Sequence, residues 1–268
     1  MTRKTGLGII TYKREAFCRQ ACESIAPGMF DEVVVVNDGS VYDDYPIDAT
    51  IIELPENKGV ATAKNAALTH LLNAGCTYLF LMEDDIAVRD PSIAELYIQL
   101  CEKSGIQHFN FALHGPANKT PHNQPLVKYR HKLDEKHVIW FYHGCIGAFS
   151  MYTRRALETV GLFDTRYVNA VEHLEHTYRI CQAGLAPPYG WFADAANSDT
   201  LLCELDPELT HSVIRQDDST FQTYLRDAEN LFMREHDLPS RSIPVANIVV
   251  FLDKLWRIDA DGAKARAV

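Results

Sequence analysis

Apolar residues in the first hundred positions fall into two alternating patterns. Short apolar runs read as strands, and the four-valine run, which has no polar alternation, as one covered on both faces. They are the run around Leu7, Ile9 and Ile10, then Val33-Val34-Val35-Val36, residues 50–54 closed by Pro55, and Tyr78-Leu79-Phe80-Leu81-Met82. Between them, residues 14–25 and 59–74 read as helices. In the second, Val60, Ala63, Ala67, Leu68, Leu71 and Leu72 recur near the helical period. Pro27-Gly28 stops the first helix, and Asn37-Asp38-Gly39-Ser40 is a turn signal after the valine run. Asp90-Pro91 predicts another helix start, with Asp90 as cap and Pro91 in the first position. Strand and helix in alternation predict an α/β fold with a mostly parallel central sheet flanked by helices and joined by right-handed crossovers.

The pattern loosens in the second half. Residues 114–136 are polar and rich in Pro, His, Lys and Asn, and read as one long loop. Residues 137–142 return to strand character, 153–160 and 170–183 read as helices, and 189–193 as a last sheet strand. From Asp217 to Pro239 the chain is polar and favours helix. This divides the chain into a main domain over 1–215 and a helical C-terminal extension over 216–268. No apolar run approaches the ~20 residues that span a bilayer, and the stretch from Leu7 to Ile10 is too short for a signal-peptide core. Seven cysteines stand at irregular spacings without a Cys-x-x-Cys pair, as expected for reduced thiols in a cytoplasmic protein. The formal charge of −10, from 26 basic and 36 acidic residues, argues against nucleic acid as the main partner without excluding a local basic groove.

Chemistry concentrates at Glu83-Asp84-Asp85, three acids at the end of a buried strand. The carboxyl edge of an open α/β sheet is where ligands bind. Adjacent carboxylates repel one another, nothing local in the sequence neutralises them, and a divalent cation such as Mg2+ or Mn2+ would. The alternative is a solvated loop or a helix N-terminus, where the dipole favours acids.

Several ordered segments resemble the family-2 glycosyltransferases and their relatives with the GT-A nucleotide-sugar-binding fold. Ile9-Ile10-Thr11-Tyr12-Lys13-Arg14 resembles their first strand and turn, and Val34-Val35-Val36-Asn37-Asp38-Gly39-Ser40 their second. Asn57-Lys58-Gly59-Val60-Ala61-Thr62-Ala63-Lys64-Asn65 resembles the Asn-x-Gly…Ala-Arg-Asn segment, with Lys64 where Arg is usual. Glu83-Asp84-Asp85 stands at the Asp-x-Asp motif, in a variant spelling. Arg155 through Gly161-Leu162-Phe163-Asp164 resembles the Arg…Gly-x-Phe-Asp stretch, and Glu172-His173-Leu174-Glu175 through Arg179 and Gly184 the Glu-Asp-x-Asp…Arg…Gly helix. Agreement in order and spacing covers roughly residues 6–184.

The resemblance implies transfer of a sugar from a nucleotide-diphosphate sugar, expected to be a UDP-sugar, to an acceptor hydroxyl. It implies a Mn2+ or Mg2+ cofactor and a hexosyl or N-acetylhexosaminyl group. The nucleotide-binding half would span about 1–90 and the acceptor-binding half about 91–215. Asp85 is then the expected metal ligand, and Glu83 or Asp84 serve ribose or water-mediated contacts, with helix capping the alternative for Asp84. Asp38 would accept the N3–H of uracil, Thr11, Tyr12 and Arg14 would approach the same nucleotide, and Lys64 would either reach it or lie solvated on its helix. His211 is the expected second metal ligand. His143-Gly144-Cys145-Ile146-Gly147-Ala148 stands at the segment that shapes the donor-sugar and acceptor pocket.

At Glu172-His173 the chain departs from the family, which usually has Glu-Asp there. The Asp removes the acceptor's proton in inverting members. Histidine is a competent base near neutral pH, so either His173 or Glu172 is expected in that role and inversion is the expected outcome. Two other readings stand beside this one. One is a non-catalytic carbohydrate- or nucleotide-binding domain. The other is a sugar-phosphate nucleotidyltransferase, which the lack of glycines around Thr11-Tyr12-Lys13-Arg14 disfavours.

Overall fold

A computed structural model describes residues 3–207, 210–215, 217–241 and 246–252. The expected strands and helices of the first hundred residues form β1 (Thr5–Thr11), α1 (Glu15–Glu23), β2 (Glu32–Asn37), β3 (Thr50–Glu53), α2 (Val60–Asn73), β4 (Tyr78–Glu83), β5 (Ile86–Val88) and α3 (Ser92–Ser104). There follow β6 (His108–Asn110), β7 (Tyr129–Lys132), β8 (Val138–Tyr142), β9 (Phe149–Thr153), α4 (Arg154–Val160), α5 (Glu172–Gln182), β10 (Phe192–Ala195), β11 (Leu202–Glu204) and α6 (Asp218–His236). The central sheet has the order β3-β2-β1-β4-β9-β6. Its β1, β2, β3 and β4 run parallel, and β9 runs antiparallel to both neighbours.

Side-chain alternation explains why the valine run and the β4 run carry no polar positions. Val35, Leu7, Ile9, Phe80 and Met82 enter one core with α1 and α3. Val34, Val36, Leu79 and Leu81 enter a second core with Ala63, Ala67, Leu71, Leu157 and Ile180 of α2, α4 and α5. Both faces of the sheet are therefore dry along β1, β2 and β4, as the unbroken apolar runs require, while the edge strand β3 is largely exposed.

Four features differ from the sequence reading. The segment 114–136 is not one loop, because β7 lies within it and pairs antiparallel with β8. The strand expected over 189–193 lies at Phe192–Ala195 and joins β8 in a separate three-stranded sheet, not the central one. β9 inserts between β4 and the edge strand β6 of the main sheet, and β5 pairs with β11 in a separate two-stranded sheet. Helix α3 starts one residue later than expected, although the Asp90 carboxylate still accepts from the Ser92 amide at 2.9 Å.

Within the C-terminal extension, α6 is not solvated all round. Ala228 and Phe232 are buried against Tyr167, Ala170 and Val171, and Ile248 and Leu252 reach the first core. Residues 216, 242–245 and 253–268 of the extension lie outside the described residues. Among the described residues, no helix is long and apolar enough to cross a membrane.

Candidate active site

Strand register places the expected nucleotide residues at one level. Thr11 lies opposite Asn37, and Ile10 opposite Glu83, so β1, β2 and β4 end together. The ladder continues one residue further: the Asp38 amide donates to the Thr11 carbonyl at 2.9 Å and the Asp84 amide to the Ile10 carbonyl at 3.1 Å. Over this edge opens a cleft of about 670 Å³ whose lining includes Thr11, Tyr12, Arg14, Asp38, all three acids of the triplet, Glu172 and His173.

Asp38 is buried and fixed. Its Oδ1 accepts from the Lys58 amide at 2.8 Å and its Oδ2 from the Gly59 amide at 2.9 Å, at the entrance to α2. Burial pushes its carboxyl above the ordinary value, against the pull of those two amides. Gly39 makes the turn possible: its φ is +85°, and a Cβ there would lie 2.2 Å from the Asn57 amide nitrogen. Tyr12 also lines the cleft, its phenol drawn below the ordinary value by hydrogen bonds with Asn57 and then Lys13.

The acidic triplet is neutralised from within the protein, contrary to the sequence reading. Glu83 meets the Lys64 ammonium at 2.8 Å. Arg14 forks across the other two, touching Asp84 through one nitrogen and Asp85 Oδ2 through the other at 3.1 Å. Asp84 also accepts from the Thr11 hydroxyl at 2.7 Å, and burial raises its carboxyl to about 7 despite Arg14. Burial works against the Arg14 charge, but Asp84, Asp85 and Glu83 outweigh it and hold the guanidinium above its ordinary value. Thr11 and Asp84 are thus occupied by each other and by Arg14. Asp85 keeps one oxygen free: Oδ1 is buried and has no hydrogen-bond partner.

On the other side of the cleft, Lys64 is 1% exposed, which overturns the solvated alternative for it. Its ammonium lies between Glu83 at 2.8 Å, Glu172 at 3.3 Å and the Gly147 carbonyl at 3.3 Å. Two carboxylates raise its pKa against the opposing effect of burial. Burial alone would raise Glu172, but Lys64 and then His173 win and lower it to about 2. His173 places Nδ1 3.3 Å from Glu172 Oε1 and Nε2 3.3 Å from the Cys145 carbonyl. That approach needs Gly147, where a Cβ would sit 2.8 Å from the His173 Cγ. The residue before the Glu172–His173 pair, Val171, has φ +67°, a left-handed conformation that is strained for a β-branched side chain and is typical of functional sites.

His211 is not brought into this lining. Its side chain is 67% exposed, its amide donates to Asp206 Oδ2 at 2.8 Å, and its ring leans on Phe17 at 5.4 Å. His114, which sequence reasoning left inside the long loop, does line the cleft, with Nε2 3.9 Å from Asp85 Oδ2. Its signal was hidden because β6, the strand that carries it to the edge, is only three residues long.

The family model for glycosyl transferase family 2 matches residues 7–161 of this architecture, more than half of the chain. The chain belongs to glycosyl transferase family 2. It is a glycosyltransferase with the GT-A fold. An uncharacterised glycosyltransferase of Acanthamoeba polyphaga mimivirus is 24% identical over 205 residues, covering 69% of this chain and 75% of that protein. Among solved structures, S. aureus TarS 1–349 superposes with a TM-score of 0.52 at 14% identity, over 87% of this chain and 72% of that one. GalNAc-T7 with UDP, GalNAc and Mn2+ gives a TM-score of 0.50 at 14% identity, over 71% of this chain and 42% of that one. At such identities the two structures share the fold with this family-2 member. The motifs in the matched span include both the Asp38 turn and the acidic triplet, while Glu172-His173 lies beyond it.

Proposed function

We propose that this glycosyltransferase moves a hexosyl or N-acetylhexosaminyl group from a UDP-sugar to an acceptor hydroxyl, with inversion and with the help of a divalent cation. The observation that carries the reading is the meeting, in one cleft, of the Asp38–Asp85 strand edge and the Glu172–His173 pair. The ligands of the two structural relatives support it: TarS has been solved in complex with UDP-GlcNAc, and GalNAc-T7 with UDP, GalNAc and Mn2+.

Asp38 carries base recognition. Each of its oxygens already accepts one backbone amide and retains a lone pair, enough to take the N3–H of uracil, while the Tyr12 ring offers an apolar face for the base. Asp85 fits a hard cation, since its Oδ1 is a buried acceptor with no partner. Among the described residues no group of three or more His, Cys, Asp or Glu side chains forms a metal cage. That matches the way Mg2+-type ions are held, by one or two protein ligands and otherwise by substrate phosphates. Such an ion, when bound, offsets the charge that grows on the departing diphosphate.

Proton removal falls to His173. Glu172 is lowered to about 2 and its Oε1 faces both Lys64 and His173, so it is a weak base and a good anchor. With Nδ1–H directed at Glu172, Nε2 carries the lone pair that takes the acceptor's proton. The hydroxyl oxygen then bonds to the anomeric carbon as the bond from that carbon to the diphosphate breaks. The imidazolium so formed has an oxygen acceptor at each nitrogen, Glu172 and the Cys145 carbonyl.

A panel of nucleotide sugars scored for Mn2+-dependent thermal stabilisation tests the reading, because a ligand bound only by the native state raises the melting temperature. UDP-sugars are expected to stabilise the protein and other nucleotides to do so less. Asp38→Ala is expected to weaken UDP binding about tenfold or more, since the loss of a hydrogen bond to a charged group amounts to about 1.5–3 kcal/mol, with a smaller effect on kcat. Unchanged UDP affinity by calorimetry would remove Asp38 from base recognition.

A further inference from the structure

We propose that His114 is a second protein ligand of the divalent cation held by Asp85, with Glu204 as the positioning residue that aims its imidazole. This rests on the metal-dependent reading above and extends it to a residue outside the acidic motif. His114 sits between two carboxylates that come from distant parts of the chain. Nε2 lies 3.9 Å from Asp85 Oδ2, and Nδ1 lies 3.6 Å from Glu204 Oε2.

Neither distance is a hydrogen bond, and His114 Nδ1 and Asp85 Oδ1 are both buried without a partner. A buried polar atom left unpaired costs about 1–3 kcal/mol, so Asp85 Oδ1, on the side chain that faces His114 Nε2, points to a missing partner, while Oδ2 is held by Arg14 at 3.1 Å and Nδ1 lies on the Glu204 side of the ring. A Mg2+-sized cation lies about 2.1 Å from each donor, so two donors of one ion are at most about 4.2 Å apart. The 3.9 Å gap between His114 Nε2 and Asp85 Oδ2 lies within that span.

Glu204 has the other half of the arrangement. Ligating histidines commonly direct their second ring nitrogen at a carboxylate, which fixes the tautomer and raises ligand basicity. Glu204 is itself held in place: Oε2 accepts from the Gly115 amide at 2.7 Å, and Oε1 pairs with Lys119. With Nδ1–H turned toward Glu204, the Nε2 lone pair faces Asp85. The strand pair β5–β11 joins the two acids, since Glu204 lies opposite Ile86, the residue after Asp85. The Leu205 amide donates to the Asp85 carbonyl at 2.7 Å.

Electron spin-echo spectroscopy of Mn2+ bound to the full-length protein with UDP decides the matter, because it detects nitrogen directly coordinated to the ion. The wild type is expected to show an imidazole nitrogen coupling that changes when the protein is labelled with 15N-histidine. The coupling is expected to persist in His211→Ala, whose side chain is 67% exposed, and to vanish in His114→Gln. In calorimetry with MnCl2 and UDP, His114→Gln and Glu204→Gln are each expected to weaken Mn2+ binding by about 10- to 100-fold, with metal-free UDP affinity unchanged. Bound Mn2+ without histidine coupling would overturn the ligand assignment, as would loss of the coupling in His211→Ala, even if His114→Gln failed to fold. Absence of any Mn2+ binding to the wild type with UDP would instead overturn the metal-dependent reading. Retention of Mn2+ affinity in both His114→Gln and Glu204→Gln, alongside its loss in Asp85→Asn, would overturn only the inference.

Discussion

Lys64→Met is expected to lower stability by about 3–5 kcal/mol, the effect of removing one partner from a buried charged group. For a chain of this size that is a fall of about 6–20 °C in Tm. The magnitude follows from position. Lys64 is fully enclosed, and without it Glu83 and Glu172 are left facing each other around an apolar side chain. Glu172 also gives the variant a pH signature. Its folded-state carboxyl is lowered to about 2 from an ordinary ~4.3. A depressed acid contributes stability that is complete above the unfolded value and is lost as pH falls toward the folded one. In the wild type this loss runs from about 4.3 down to 2. Lys64→Met should shrink that contribution, because the larger of the two groups that lower Glu172 is gone and only His173 remains. Adding Glu83→Gln and Glu172→Gln to the variant should recover part of the lost stability. A single-variant Tm within about 2 °C of the wild type, judged against the scale above, would show that the buried charges make no net contribution.

His173→Ala is expected to lose on the order of 10² to 10⁴ in turnover, the range for a positioned general base, while UDP affinity stays near that of the wild type. Glu172→Gln separates anchor from base. It removes the charge that orients the ring but leaves the base, so its turnover should exceed that of His173→Ala. A His173→Ala enzyme with near-normal turnover and an unchanged pH profile would exclude the histidine. Anomer analysis of the product tests inversion in the same experiment.

Legibility in the sequence followed the range of each interaction. β1, β2 and β4 were readable because strands dry on both faces leave continuous apolar runs. β9 was not, though it is buried throughout, because Ser150, Tyr152 and Thr153 carry polar atoms that are satisfied internally. The Ser150 hydroxyl reaches the Tyr152 hydroxyl at 3.2 Å, and the Thr153 hydroxyl reaches Gln107 at 2.9 Å. The acidic triplet was visible as neighbours in the chain. Its neutralisation by Arg14 was not, because that contact joins residues 70 positions apart. Likewise, Lys64 could be placed on a helix but not inside the protein. Its surroundings depend on Glu172, 108 residues away, and on the glycine that admits His173.

Helix α6 has two duties with opposing demands on its sequence. Its first turns present Phe221 and Leu225 to the cleft, where variation would reshape the wall. Its later turns set Ala228 and Phe232 against Val171, the strained residue from which Glu172 and His173 project. Neighbouring substitutions that share a packed element are seldom independent. Reshaping the cleft wall through this helix therefore shifts the footing of Glu172 and His173 as well. Gains in selectivity made there should come with losses in turnover.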